Sequence, residues 1–365
     1  MYIFLLFVLI LILAIILILL NVVCDNNIKN GGGKHKRRYK TLTYKIFYNG
    51  EYTRETYSYI INRLNSLGWK EAPNAKKYVN FAFSLLNNNG RISADLKYAL
   101  NGHKSIVYKD FLYKNMKNLS HIPPTEDLTT YKWCGDVVII KEVLSYQQRG
   151  VYVVGTEEDF LNVKSKLVGI RAVVSKYIQN ALLFEGKRFQ LRINIILFIY
   201  RNKDTNKLIK KFLYKKDNIF TIHSKKKYII NNKDDYLDPE ITITKGKYNE
   251  RLIYFSEIEK QYSAKFIKKC KKSIDDAIHS ISLDNISLYP EQKAGLFIYG
   301  ADFMLDDTGH AWILELNSKP GFIPGIVQRT GGIEAEQKFK LHFFKNFFGF
   351  ILDNIVLPYF KYLYS

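Results

Sequence analysis

Two apolar runs close to the end of the chain, GLFIYGADFML (295–305) and HAWILELN (310–317), hold Asp302, Glu315 and Asn317 among large hydrophobic neighbours. Runs this apolar read as strands of a buried sheet, and a carboxylate buried there without a partner is costly. Any fold that accepts them must give these side chains a common partner or a common opening. Alternation puts Glu315 and Asn317 on one face of their strand. The intervening DDTGH carries turn chemistry, so the runs pair as a hairpin with Asp302 opposite Glu315, within about one residue of register. Three oxygen-bearing side chains then converge. Two carboxylates and a carboxamide, with nucleotide phosphates adding oxygens, form a ligand set for one or two Mg²⁺ ions. The alternative leaves Asp302 and Glu315 solvated on an open sheet face, with Asn317 opening a turn before Pro320.

Cationic residues pose the complementary question. Lys141 ends the apolar run VVIIK, and nine residues later Gly150 opens another strand. A lysine at a strand end beside a Gly-containing turn can meet phosphates, with backbone N–H groups taking others; a snorkelling surface lysine is the blander reading. Segment 173–195, VVSKYIQNALLFEGKRFQLRINI, gathers Lys176, Lys187, Arg188 and Arg192 around two apolar strands. Arg192 opens the run RINIILFIY, so its guanidinium needs an anionic partner, for which a phosphate, Glu185 or Asp302 would serve.

The rest of the chain supports a mixed architecture. TLTYKIFY alternates as a strand, RETYSYIINRLNSLGW has helical spacing, and GDVVIIKEV and GVYVV read as further strands. The segment around 256–281 is helical, and HFFKNFFGFILDNIVLPYF (342–360) has the pattern of an amphipathic packing helix. The fold class is therefore α+β, with an α/β amino-terminal lobe over 41–125, ending near Pro123-Pro124. The main region then spans 126–350, with a tail at 351–365.

Residues 2–20, YIFLLFVLILILAIILILL, are 19 uncharged, almost wholly apolar residues, about 30 Å as a helix and enough to cross a bilayer core. A cleavable signal peptide would need a positive start and a shorter apolar core. The expectation is a single-pass anchor over 1–24, then a basic flexible linker over 25–40. Lys29, Lys34, Lys36, Arg37, Arg38 and Lys40 follow the run, so the positive-inside rule places the remainder in the cytosol, with residues 29–40 against anionic headgroups.

Lys+Arg number 55 and Asp+Glu 34, a net charge of +21, which suggests an acidic partner. Only 12 of the cations are Arg, which disfavours nucleic acid, where bidentate Arg is the commonest specific base contact. The three cysteines are few and widely spaced, so neither a disulfide framework nor a zinc site can be read from them.

Several of these segments resemble the tubulin tyrosine ligase-like family of the ATP-grasp superfamily. GADFMLDDTGHAWILELNSKP is similar to the family's Asp strand followed, thirteen residues on, by E-x-N and a proline. VVSKYIQNALLFEGKRFQLR resembles its Q-K-Y-I, N-P-L-L and K-F-D-L-R series, KEVLSYQQRGV its lysine and phosphate turn, and SIVYKDFLYKNM its Lys-Asp-x-Leu stretch. The resemblance implies an ATP-grasp fold and a ligase that uses ATP and Mg²⁺. In it Lys141 and the turn at Gly150 would meet the phosphates. Lys176, Tyr177 and Ile178 would line the adenine pocket, and Arg188 and Gln190 would stand at nucleotide-contacting positions. Arg192 would contact the γ-phosphate or acyl phosphate, and Asp302, Glu315 and Asn317 would hold Mg²⁺. The implied reaction adds a free amino acid (Tyr, Glu or Gly) to a protein acceptor with an acidic, tubulin-like tail, by a monomer. Departures are Ser175 for Gln, Arg188 for Lys, Gln190 for Asp, Gln148 for the first glycine of the turn, and no equivalent of a further Arg near Phe220. Two other readings stand beside it: a membrane-tethered basic adaptor with an impaired site that binds microtubules, lipid or RNA, and a bacterial-type ATP-grasp glutamate ligase acting on another protein or peptide.

Overall fold

The computed structural model describes residues 41–48, 54–73, 77–84, 92–116, 118–145, 150–229, 235, 238, 241, 253–318 and 343–365. Residues Leu42–Ser365 form one compact unit. The apolar run 2–20, the linker 25–40, Gln148 and Pro320 lie outside the described residues. Among those described, no helix is long and apolar enough to cross a membrane.

The architecture is mixed α+β, built on two sheets. The larger has ten strands, in the order β12-β11-β10-β13-β4-β3-β1-β2, with β14 on β13 and β9 on β10, where β9 is Leu183–Phe184 and β12 is Ile253–Tyr254. Its first part is parallel: β1 (Thr43–Ile46), β2 (Lys70–Glu71), β3 (Tyr78–Phe83) and β4 (Ser93–Lys97), with helix α1 (Ser58–Ser66) between β1 and β2. α1 presents Ile60, Ile61 and Leu64 at helical spacing to the core. The second part is antiparallel: β10 (Lys187–Arg201), β11 (Leu208–His223), β13 (Ala294–Leu305) and β14 (Ala311–Asn317). The two parts form one continuous sheet, because Ala294 and Gly295 of β13 pair in parallel with Leu96 and Lys97 of β4. Every residue of β13 is buried, as expected of a central strand whose two faces are both covered.

The smaller sheet has the order β5-β8-β6-β7, from β5 (Thr125–Asp127), β6 (Val138–Glu142), β7 (Val151–Val154) and β8 (Ala172–Lys176). Helix α3 (Glu157–Lys166) covers one of its faces. Thr156 caps it by accepting from the Asp159 N–H, three acidic residues fill its first turn, and Phe160 packs onto Val138, Ile140 and Val174. The short helix α2 (Lys109–Lys114) precedes β5.

The helical pattern around 256–281 divides into α4 (Phe255–Glu259) and α5 (Ala264–His279), because Ser263 starts a new helix by capping the Phe266 N–H. α5 buries Ile267, Cys270, Ile274, Ala277 and Ile278, and its Ser273 hydroxyl accepts from the Ala311 N–H at the start of β14. At the carboxy-terminal end, helical residues from 343 pass through a π-helical turn at Leu352–Val356 into α6 (Leu357–Tyr364). Phe343 packs on Phe220, Phe348 on Tyr57 and Phe83, and Tyr359 on Phe198. The region read from sequence as a tail therefore packs into the large core.

Candidate active site

The β13–β14 hairpin sets the geometry of the acidic cluster. Asp306 accepts from the Thr308 and His310 N–H groups, each at 3.0 Å, and Gly309 supplies the left-handed φ of +82° that the turn requires. From there Ile313 pairs with Phe303, and a bulge follows, so that Glu315 falls opposite Asp302 and Asn317 opposite Gly300. The bulge is decisive, because without the extra residue Glu315 would share the face of Ile313 rather than that of Asp302.

Arg192 stands opposite Asp302 on the other flank of β13. It donates from Nε to Oδ1 at 2.5 Å and from Nη2 to Oδ2 at 3.0 Å, a bidentate pair. The Asn317 amide donates to Glu315 Oε1 at 3.1 Å and Asp302 Oδ2 at 3.4 Å. Of the partners open to Arg192 in the sequence, the structure selects Asp302. Burial, with the neighbouring Glu315 charge, pushes Asp302 up to about 7 against the pull of Arg192. Burial also opposes the charge on Glu315, but the hydrogen bond with Asp302 and the nearby Lys109 and Lys141 hold its carboxyl below the usual range. Two carboxylates this close share protons unless a cation neutralises them.

The small sheet supplies cations to the same place. In β6, Ile139 and Lys141 alternate away from the α3 face. Lys141 is half-buried, and burial lowers its pKa while Glu315 and Asp302 act the other way. Lys109, at the start of α2, is likewise lowered by burial and drawn to Glu315, and its ammonium donates to the Ser145 carbonyl at 2.7 Å. A small cleft lined by Lys109, Lys141, Thr125, Ser175, Ile313 and Leu314 lies between the small sheet and β14. Lys109 had no assigned role in the sequence. The signal was the KDFL stretch, but nothing local shows that the helix start faces a strand about 200 residues away. Asp110, ion-paired with Arg171, is buried beside it.

Near the cleft, Tyr177, Tyr228 and Ile241 pack with Val137, Ile139 and Val153 in a small apolar cluster. Arg188 is 2% exposed beside it. Its guanidinium lies 4.5 Å from the ring centre of Tyr177 and 5.0 Å from that of Tyr228, and it donates to the Tyr177 hydroxyl and, at 2.9 Å, to the Ile178 carbonyl. Gln190 is half-buried on the same face of β10 as Arg188 and Arg192. Gly150 has a left-handed φ of +62°, which favours glycine, and a Cβ there would push the Glu142 carboxyl group aside. Lys176 is not brought to the cleft. It stands opposite Val138, on the α3 face of the small sheet, and pairs with Asp136 at 2.9 Å. Phe220, where an arginine was sought, is fully buried against Tyr254 and Phe343.

The chain matches the family model of the tubulin-tyrosine ligase family over residues 111–327. It is 29% identical over 182 residues to a probable alpha-tubulin polyglutamylase of Tetrahymena thermophila, covering 46% of this chain and 41% of that protein. It is 21% identical over 247 residues to protein polyglycylase TTLL10 of Mus musculus (54% and 33%). It is also 26% identical over 204 residues to tubulin glycylase 3C of Tetrahymena thermophila (51% and 18%). The matches span less than half the length of these curated relatives.

Proposed function

Because the chain belongs to the tubulin-tyrosine ligase family, we propose that it is an ATP- and Mg²⁺-dependent ligase of ATP-grasp type that joins an amino acid to a protein carboxylate. The observation that carries this reading is the meeting of Asp302, Glu315 and Asn317 on one sheet with Lys141 and Lys109 across a cleft. The names of the relatives support an acidic, tubulin-like acceptor, and the net charge of +21 suits one.

The residues fit a divalent cation. Two adjacent carboxylates, one of them raised by burial and by its neighbour's charge, form a hard donor pair, and the Asn317 amide, which donates to both of them, would turn its oxygen to the ion. Asp302, Glu315 and Asn317 would hold Mg²⁺, which would neutralise phosphate charge when bound. Lys141 and Lys109 sit where triphosphate oxygens would lie and offset the charge that develops as the terminal phosphoryl moves to the acceptor carboxylate. Arg192, clamped by Asp302, keeps a fixed guanidinium beside the reacting centre. The apolar cluster of Tyr177 and Ile139, with Ile178 and Arg188 at its edge, would serve as the side against which the base stacks. An amine then displaces phosphate from the acyl phosphate, and positioning supplies much of the rate.

The test is incubation of the full-length protein with Mg-ATP, tubulin and each of Tyr, Glu and Gly, read by intact mass. A defined mass increase that requires ATP supports the reading, and no increase with any amino acid counts against it. As part of the same proposal, the run 2–20 anchors the protein in a membrane through one pass, with residues 29–40 at its anionic surface and the catalytic part in the cytosol. Alkaline extraction of membranes from expressing cells checks this, since an anchored protein stays in the pellet.

A further inference from the structure

Two buried amide side chains of the large sheet have atoms without a hydrogen-bond partner. Asn194 on β10 is 3% exposed, with neither Oδ1 nor Nδ2 bonded, and Asn218 on β11 is 8% exposed, with Nδ2 unbonded. β10 pairs with β13 without a register break, so Asn194 shares the face of Arg192 two residues earlier. It stands opposite Gly300, which in turn stands opposite Asn317. On β11, Phe220 is opposite Arg192 and Ile219 opposite Ile193, so Asn218 is the next residue along, level with Asn194. The β11 register jumps from Ile193–Ile219 to Ile195–Tyr214, so residues 215–218 swing out opposite Asn194 alone.

The order along β10 gives the pair a place in the reaction. Arg188 lies against Tyr177 and Tyr228 of the apolar cluster, Arg192 on Asp302, and Asn194 next. At about 3.4 Å per residue, Asn194 is roughly 7 Å past Arg192 and roughly 20 Å past Arg188. A nucleotide with its base against that apolar cluster and its phosphates at Arg192 would point its terminal phosphoryl toward Asn194. In-line transfer brings the acceptor in from the side away from the β-phosphate, and the amine must meet the acyl carbon there.

We propose that Asn194 and Asn218 seat the incoming amino acid and that this amino acid is glycine, an inference that rests on the ligase reading above. The two Nδ2 groups donate to the α-carboxylate, and Asn194 Oδ1 accepts from the amine and aims its lone pair at the acyl carbon. The new C–N bond forms as the C–O bond to phosphate breaks. Of the three ammonium protons, one stays on the amide nitrogen, one leaves on the phosphate and one goes to solvent. Selection for glycine follows from what surrounds the pair. Phe220 fills the space two residues from Asn218, and among the described residues the cations of these strands are engaged: Lys215 with Asp217 at 3.4 Å, Lys216 with Asp275 at 2.8 Å, and Arg192 with Asp302. A glutamate side chain would bury a second carboxylate with no countercharge among them.

The test uses full-length protein with Mg²⁺ and a non-hydrolysable ATP analogue, melted with and without glycine or glutamate, alongside turnover on a glutamate-rich peptide with glycine, glutamate and tyrosine mixed. Glycine alone should raise the melting midpoint, and glycine alone should be added to the peptide. Asn194→Leu should raise the KM for glycine about tenfold or more while the KM for ATP stays within about twofold, and Asn218→Leu should act in the same direction with a smaller effect. Should Asn194→Leu fail to fold, the Asn218→Leu variant and the wild-type melts decide. A midpoint raised by glutamate, no midpoint change with glycine, addition of glutamate or tyrosine, or an unchanged glycine KM overturns the glycine seat and leaves the ligase reading standing. Loss of any Mg-dependent response to the nucleotide analogue overturns the ligase reading itself.

Discussion

The two sheets that flank the cleft differ in how completely they are covered. In the large sheet all twelve residues of β13 are buried, between α5 on one face and the carboxy-terminal helix on the other. In the small sheet three of the four residues of β7 are partly exposed, and α3 covers one face only. The closed sheet holds Arg192, Asp302, Glu315 and Asn317 in fixed register, whereas the half-covered sheet offers Lys141 and the apolar surface of Val137, Ile139 and Val153. The second face of the small sheet carries only the small cluster of Tyr177, Tyr228 and Ile241 among the described residues, and the proposed ligase would use this lightly packed side for the base and the acidic cluster for the anionic tail.

The largest effect should come from the closed sheet's acidic residue. Glu315→Gln should lower ATP-dependent amino-acid addition by about 10²-fold to 10³-fold or more while the fold is retained; wild-type activity would break the proposed division of labour. Lys141→Ala tests the small sheet's contribution and should cost about 10²-fold in turnover with stability changed by no more than about 0.5 kcal/mol.

Paired core substitutions sharpen the contrast. Phe303→Ala, in β13, should destabilise by about 3–5 kcal/mol. Ile139→Ala, on the partly exposed face, should cost about 1 kcal/mol but weaken nucleotide binding. Denaturant titration together with ATP affinity separates the two, and equal stability losses would show that both sheets are load-sharing cores. A smaller effect concerns pH. His121, buried at the β14 end of the large sheet, is lowered by burial, with the Ala311 carbonyl pulling the other way and His310 adding to the depression. Its neutral form favours the fold, so that stability is present above about pH 6.5 and is lost as pH falls through the lowered value. The melting midpoint should drop between pH 7.5 and 5.5, and less so in His121→Asn.

Much of this was legible in the sequence where a local pattern decides the structure. The hairpin was visible because alternation and the DDTGH turn act over short distances, and Asp302 does lie opposite Glu315. The bulge that makes this so was not visible, since an extra residue in one strand leaves no mark in composition. The sixteen residues of β11 were not read as a strand. LYKKDN interrupts the apolar pattern, because those residues pass through the register jump opposite β10. Long-range placement was also hidden. Lys109 reaches the cleft only because α2 docks near β14, and Lys176 leaves it because pairing with Val138 turns its side chain to the α3 face. The family-like motifs supplied order along the chain; the sheet register supplied the meeting of charges.

The most direct test is calorimetric titration of ATP into the full-length protein, with and without Mg²⁺, for the wild type and Glu315→Gln. If the acidic cluster and Lys141 grip a metal-bound triphosphate from opposite sides of the cleft, wild-type binding is tight with Mg²⁺ and at least about tenfold weaker without it, and Glu315→Gln removes that difference. Equal ATP affinity with and without the metal, or no binding in either condition, would contradict it.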